Sequence, residues 1–268
     1  MLVQKMVMGN RSKRSGSGVV FTHNPKLKKP GINLYGDFTL CSQGEDIVAG
    51  LVYTMPISES QRTDDYPDSD FSLESAFPEI FDRLKEIATE LIEKYGFNNQ
   101  EIEFTFESDH PDDLYILQIR EQNIVQQEKE AAFSTPPEEM ITVGKGIGVG
   151  GGAMSGIVSF DMDDLVNNKR EYPDENHILV RPDTVPDDIQ MIFMCDGLVT
   201  SRGGVTSHAA VAADKLGKVG VVNCEDLVVN DHEKYCKIND YIFQRGDAIS
   251  IDGKWGNIYA GSYPVQYI

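Results

Sequence analysis

Gly203-Gly204-Val205-Thr206-Ser207-His208, running into Ala209-Ala210-Val211-Ala212-Ala213-Asp214-Lys215-Leu216-Gly217, is the stretch whose reading decides the fold. The two glycines permit a left-handed backbone or a close approach, Thr206 and Ser207 are N-cap types, and the alanine run closed by Gly217 predicts a short helix. His208 therefore stands at the mouth of a helix. Free backbone N–H groups and the positive end of the helix dipole favour an anion such as a phosphoryl group there, and they oppose an imidazolium. The expected result is a neutral, nucleophilic ring. Taken alone, the residues leave a packed or capping histidine as the alternative.

The surrounding elements alternate. Ile178-Leu179-Val180 reads as strand, Pro186 to Met194 as helix, Gly197-Leu198-Val199-Thr200 as strand and Val219 to Val222 as strand. Ala248 to Ile251 and Asn257 to Ala260 flank Asp252-Gly253-Lys254-Trp255-Gly256 as a hairpin. A layered α/β unit around one sheet follows. Upstream, Gly144 to Gly156 holds seven glycines in thirteen positions, and Gly146-x-Gly148-x-x-Gly151 has dinucleotide-fingerprint spacing. A Rossmann turn opens a helix, however, whereas Ser155 to Phe160 reads as strand, and no Gly-Lys-Ser/Thr follows. This run is expected to be a flexible entry to a second domain.

Residues 1–57 read as sheet with loops, and the stretch from Glu59 to Glu74, with six acids and no periodicity, reads as a solvated surface loop. Phe77, Ile80, Phe81, Leu84, Ile87, Ala88, Leu91 and Tyr95 follow helical spacing, with Pro78 near the start and Gly96 past the end. The charged, Gln-rich segment Glu121 to Glu130 and Ser134-Thr135-Pro136-Pro137 read as a connector. The expected division is a first domain over 1–122, a linker over 123–142 and a second domain over 143–268.

Two short segments carry a further constellation. Glu101-Ile102-Glu103-Phe104-Thr105-Phe106 alternates, as does Leu114 to Arg120. Paired through the 107–113 loop with apolar opposite apolar, the register sets Ile102 against Ile119, Phe104 against Leu117 and Phe106 against Tyr115. Glu103 then faces Gln118, and Glu101 faces Arg120. Oxygen ligands without thiols suit Mg²⁺, which completes its shell with water and phosphate oxygens, and Arg120 offers a planar fork for phosphate. Ordinary cross-strand pairing of Glu and Arg is the plainer reading.

With Lys+Arg 24 against Asp+Glu 43, the formal charge of −19 repels polyanions, so nucleic acid and anionic membrane are not expected as partners. Cys41, Cys195, Cys224 and Cys236 form no Cys-x-x-Cys pair, which suggests neither a zinc site nor a disulfide framework. No apolar run approaches the ~18 residues of a membrane span. Met1-Leu2-Val3-Gln4-Lys5 lacks a signal-peptide pattern, and the expected location is cytoplasmic.

Gly-Gly-Val-Thr-Ser-His-Ala-Ala-Val over residues 203–211 resembles the phosphohistidine signature of the phosphoenolpyruvate-utilising enzymes. Gly9-Asn10, Ser15 to Pro25, Gln43 to Gly50, Glu101 to Thr105 and Leu114 to Arg120 resemble, in order, the closing part of an ATP-grasp nucleotide domain. The Gly-Glu-Asp-Ile-Val-Ala-Gly form at 44–50 resembles the pyruvate phosphate dikinase branch of that family. Ile178 to Arg181 and Pro186 to Ile189 continue the likeness into a swivelling β/β/α domain. The resemblance thus implies a mixed α/β and α+β chain, with ATP-grasp C-terminal elements followed by a phosphohistidine domain.

It further implies that His208 is the catalytic phosphoryl carrier, that Glu103 and Gln118 bind Mg²⁺, and that Glu101 and Arg120 contact ATP. Gly203, Gly204, Thr206 and Ser207 would cradle the phosphate, with Thr206 as a control point or simply a helix cap. Pyruvate/phosphoenolpyruvate would be reached through a domain outside this chain. The first ATP-grasp lobe and the phosphoenolpyruvate/pyruvate barrel are expected from a partner chain or a longer protein, so the chain alone should turn over little. The family commonly has arginine where this chain has His23 and Asp214, and a longer insert at the connector. The alternative is a non-catalytic phosphocarrier or regulatory remnant acting with a partner chain, or a related dikinase with another acceptor. A serine hydrolase built on Ser207 and His208 fails because adjacent helix residues do not face each other and no Gly-x-Ser-x-Gly exists.

Overall fold

A computed structural model describes residues 6–27, 31–43, 52–122, 131–184 and 188–267. The described residues form two compact units, those up to 122 in the first and those from 131 onward in the second. The expected motif at 44–50 lies outside the described residues, as do residues 123–130 of the expected connector and the start of the helix expected from Pro186.

In the first unit, β1 (Gly16–Phe21), β2 (Tyr35–Leu40) and β3 (Met55–Pro56) precede three helices, α1 (Glu59–Asp65), α2 (Leu73–Ala76) and α3 (Pro78–Thr89), then β4 (Gln100–Phe106) and β5 (Leu114–Glu121). The strands make one antiparallel sheet in the order β3-β2-β1-β4-β5. Period-2 alternation turns Val20, Phe38, Ile102, Phe104 and Phe106 to one face, where Phe77, Ile80, Phe81, Leu84 and Ala88 of the helical layer meet them. The helix expected from Phe77 is therefore present, and it runs on as a π turn over Glu90–Lys94 before Gly96 takes φ +70°. The loop expected over 59–74 is corrected: it holds α1 and α2. Ser58 caps the first and a Ser72–Ser75 capping box starts the second, so cap chemistry nucleates helices that apolar periodicity did not announce.

The second unit begins with β6 (Ala131–Phe133), β7 (Thr142–Lys145) and β8 (Ile147–Val149). Then β9 (Ala153–Ser159), α4 (Met162–Glu171), β10 (His177–Arg181), α5 (Ile189–Met194), β11 (Gly197–Thr200), α6 (His208–Lys215) and β12 (Val219–Val222) alternate as βαβ crossovers. The chain ends with β13 (Leu227–Asn230), β14 (Tyr235–Ile238), β15 (Tyr241–Gln244), β16 (Ala248–Asp252), β17 (Asn257–Ala260) and β18 (Val265–Tyr267). Eight strands form the main sheet in the order β7-β17-β16-β9-β10-β11-β12-β8, with β9 to β12 mutually parallel. Right-handed crossovers stepping one way put α4, α5 and α6 on one face. The other face packs Ile178, Val180, Val199 and Val221 against Leu227, Cys236, Ile238 and Phe243 of the β13-β14-β15 sheet. The layering is β/β/α.

Two expectations are corrected here. Part of the expected linker, Ala131–Phe133, pairs with β18 as strand. The glycine run at 144–156 is not a flexible entry but β7, β8 and the start of β9. A Cβ on Gly146 would lie 2.4 Å from the Val222 carbonyl oxygen, and one on Gly148 would lie 2.4 Å from that of Gly253. Glycine is there because backbones cross too closely for a side chain.

Candidate functional site

The β4–β5 hairpin realises the expected pairing at its far end and departs from it nearer the turn. Glu101 faces Arg120, Ile102 faces Ile119 and Glu103 faces Gln118. A bulge between Glu103 and Phe104 then shifts the register, so Phe104 meets Ile116 and Phe106 meets Leu114, not Leu117 and Tyr115. Leu114 and Ile116 can then join the apolar side, while Leu117 is left exposed.

Within the polar set, an Arg120 Nη2–H donates to Glu101, whose side chain is only 6% exposed, and lies 3.8 Å from Glu103 Oε1. The hydrogen bond to Glu101 raises the guanidinium above its ordinary value, against burial. The pairing places Asp37, Val19 and Glu103 in one row across β2, β1 and β4. The hydrogen-bonded pair Ser17 and Thr105, 2.9 Å apart, lies on the same face. The fully buried Asp37 accepts from Tyr66 and, at 3.3 Å, from Thr54 Oγ1. Sequence reasoning missed Asp37, although the alternation Asp37-Phe38-Thr39-Leu40 already placed it opposite the apolar face.

In the second unit, β10 to β12 end together, and the loop from Thr200 to Ser207 leaves the end of β11. It is pinned on both sides. Ser201 N–H donates to the Arg181 carbonyl, Arg202 N–H to that of Pro182, and Cys224 N–H to that of Thr200. Gly203 takes φ +92°, which few side chains tolerate. Ser207, not Thr206, is the N-cap, its Oγ accepting from Ala210 N–H at 3.3 Å. Ser207 N–H itself donates to the Gly204 carbonyl. The expected cradle of free amides is thereby narrowed, because the cap satisfies the amide of Ala210 and the turn to Gly204 satisfies that of Ser207. Thr206 is 3% exposed, and Ser207 is equally enclosed.

His208 is the first residue of α6, half-buried, and its Nε2 is buried without a hydrogen-bond partner among the described residues. The alanines explain this placement. Ala209, Ala210, Ala212 and Ala213 are buried, and a Cβ on Gly220 of β12 would lie 3.9 Å from that of Ala213, so the helix lies flush on the sheet. Parallel α/β sheets bind ligands at this edge, beyond the carboxyl ends of the strands. Farther along α6, burial raises the carboxyl of Asp214 above its ordinary value, against the opposing charge of Lys215.

Residues 173–256 match the family described as "PEP-utilising enzyme, mobile domain". The chain is 34% identical to a pyruvate, phosphate dikinase of Rickettsia typhi, over 98% of this chain and 31% of that one. It is 32% identical to the enzyme of that name from Clostridium symbiosum, over 98% and 32% of the two chains. This chain belongs to the pyruvate phosphate dikinase family. It spans about a third of the length of the curated relatives it matches. One of them, 31% identical over 97% of this chain and 28% of its own length, is a chloroplastic enzyme of Flaveria trinervia. Among the described residues no helix is long and apolar enough to cross a membrane.

Membership in the pyruvate phosphate dikinase family sets the residues in context. His208 and its glycine loop fall inside the matched mobile domain, while the hairpin carrying Glu101, Glu103, Gln118 and Arg120 belongs to the first unit. His23 follows β1, and its carbonyl accepts from Gln122 Nε2 at 2.9 Å.

Proposed function

We propose that this chain carries phosphoryl groups on His208, taking them from Mg²⁺·ATP at the β4–β5 hairpin for transfer toward pyruvate/phosphoenolpyruvate held outside these residues. The observation that carries this reading is the imidazole at the first position of α6, on the carboxyl edge of parallel strands, with a ring nitrogen that no other group engages among the described residues. A nitrogen lone pair attacks phosphorus, the N–P bond forms, and a P–O bond of the nucleotide breaks with the electron pair leaving on oxygen. Such transfer depends on positioning and charge neutralisation rather than on covalent help from many residues.

The first unit is read as the closing part of an ATP-grasp domain. Glu103 and Gln118 face each other and offer only oxygen donors, which fits Mg²⁺. Among the described residues no group of three or more His, Cys, Asp or Glu could cage a metal by protein ligands alone. That suits an ion sharing its shell with phosphate and water, where it would offset phosphate charge. Arg120 would exchange part of its ion pair with Glu101 for a phosphate oxygen.

A second reading is favoured by that same ion pair. With Arg120 already engaged by Glu101 and near Glu103, the chain could serve as a phosphocarrier charged by a partner chain. Incubation with ATP labelled at the β- or γ-phosphate separates the two. Acid-labile, base-stable label from the β position, lost in His208→Ala, supports direct transfer. Label appearing only with a partner chain present supports the carrier, and no label on His208 under either condition sinks both.

A further inference from the structure

Five buried side-chain polar atoms have no hydrogen-bond partner among the described residues: Gln122 Oε1, His177 Nδ1, Arg181 Nε, His208 Nε2 and Asn223 Oδ1. Orphaned buried groups are rare, and each calls for a cause. The last three belong to the carboxyl edge of β10, β11 and β12. Arg181 is held on the side of β9, its Nη1 donating to the Phe160 carbonyl at 3.1 Å and to Asp231 at 2.9 Å. Asn223 differs. It directly follows β12, is 7% exposed, and takes φ +55°, a left-handed conformation that non-glycine residues seldom adopt. Its neighbour Cys224 donates N–H to the carbonyl of Thr200 at 3.0 Å, at the root of the loop that delivers His208. The packing of Ala213 over Gly220 lays α6 along β12, with its first turn toward the end of that strand.

Resting on the reading that His208 accepts a phosphoryl group, we infer that Asn223 is the residue that holds that group, its side-chain amide donating N–H to a phosphoryl oxygen on the imidazole. One occupant then accounts for two orphans on one edge: the ring nitrogen gains a covalent N–P bond and the amide gains an acceptor. Turning the amide by 180° exchanges its oxygen and nitrogen at no steric cost and presents the donor.

The left-handed backbone supplies its own control, because Asn223→Gly keeps φ +55° accessible while removing the amide. The probe is phosphoramidate, which transfers its phosphoryl group to imidazole nitrogen with release of ammonia and needs no nucleotide site. The full chain is phosphorylated with it, the His208 signal is assigned by ³¹P NMR through its loss in His208→Ala, and its hydrolysis is followed. In Asn223→Gly the lifetime of phospho-His208 is expected to fall about tenfold, the worth of a charge-assisted hydrogen bond, with a shifted phosphorus resonance. Asn223→Gln, which keeps the amide on a longer stem, is expected to recover part of the lifetime. Equal lifetimes and resonances in wild type and Asn223→Gly overturn the inference, as does failure of phosphoramidate to modify His208 in folded wild type. Failure of ATP to label a His208 that phosphoramidate does modify would instead sink only the transfer from ATP.

Discussion

Glu101 and Arg120 face each other across β4 and β5 and form an ion pair in which the carboxylate is almost wholly enclosed, at 6% exposure, while the arginine remains 41% exposed. Removing the cation leaves a buried acceptor charge without its donor, and the open side of the arginine limits how much that costs. Arg120→Ala is therefore expected to destabilise the first unit by about 1–3 kcal/mol in urea unfolding. An unchanged midpoint would show that water replaces the guanidinium at no cost.

At the other site, the side chain of Ser207 caps the N-terminus of α6. Ser207→Ala is expected to cost about 1 kcal/mol and to slow phosphorylation of His208 beside it, because the first turn of the helix loosens. Full stability in the variant would mean that packing of the alanine face alone fixes the helix start.

Asp214 ties stability to pH. Burial raises its carboxyl in the folded state, so the charged form is the one folding disfavours. The associated stability is fully present below the unfolded value of about 3.9 and is lost as pH rises through the folded value. Asp214→Asn should thus be more stable than wild type at pH 7, and the gain should vanish below about pH 3.9. A gain of the same size at both pH values would point to helix propensity rather than desolvation.

The thiols divide sharply. Burial pushes Cys195 up to about 11 and both Cys224 and Cys236 up to about 12, whereas Cys41 is exposed. A chromogenic disulfide reagent at pH 8 should titrate one thiol in the native protein and four in denaturant. Rapid reaction of a second native thiol would reveal local opening of the second unit.

The sequence by itself determined the mouth of α6 and the far end of the β4–β5 pairing. Cap chemistry at Ser207, the alanine run and period-2 alternation around Glu101 and Glu103 are local signals, legible within a few residues. It also carried the family likeness that the relatives bear out. What only the tertiary structure decided was non-local. The bulge after Glu103 depends on which residues of β5 the helical layer can accept, and the strands at 144–156 exist because Val222 and Gly253 bring their backbones against glycines. The burial of Asp37 under Tyr66 and the two orphans His208 Nε2 and Asn223 Oδ1 likewise arise where segments distant in sequence converge. Alternation and caps fix the direction a side chain leaves its own strand or helix, but what it meets there is set by the packing of the rest of the chain.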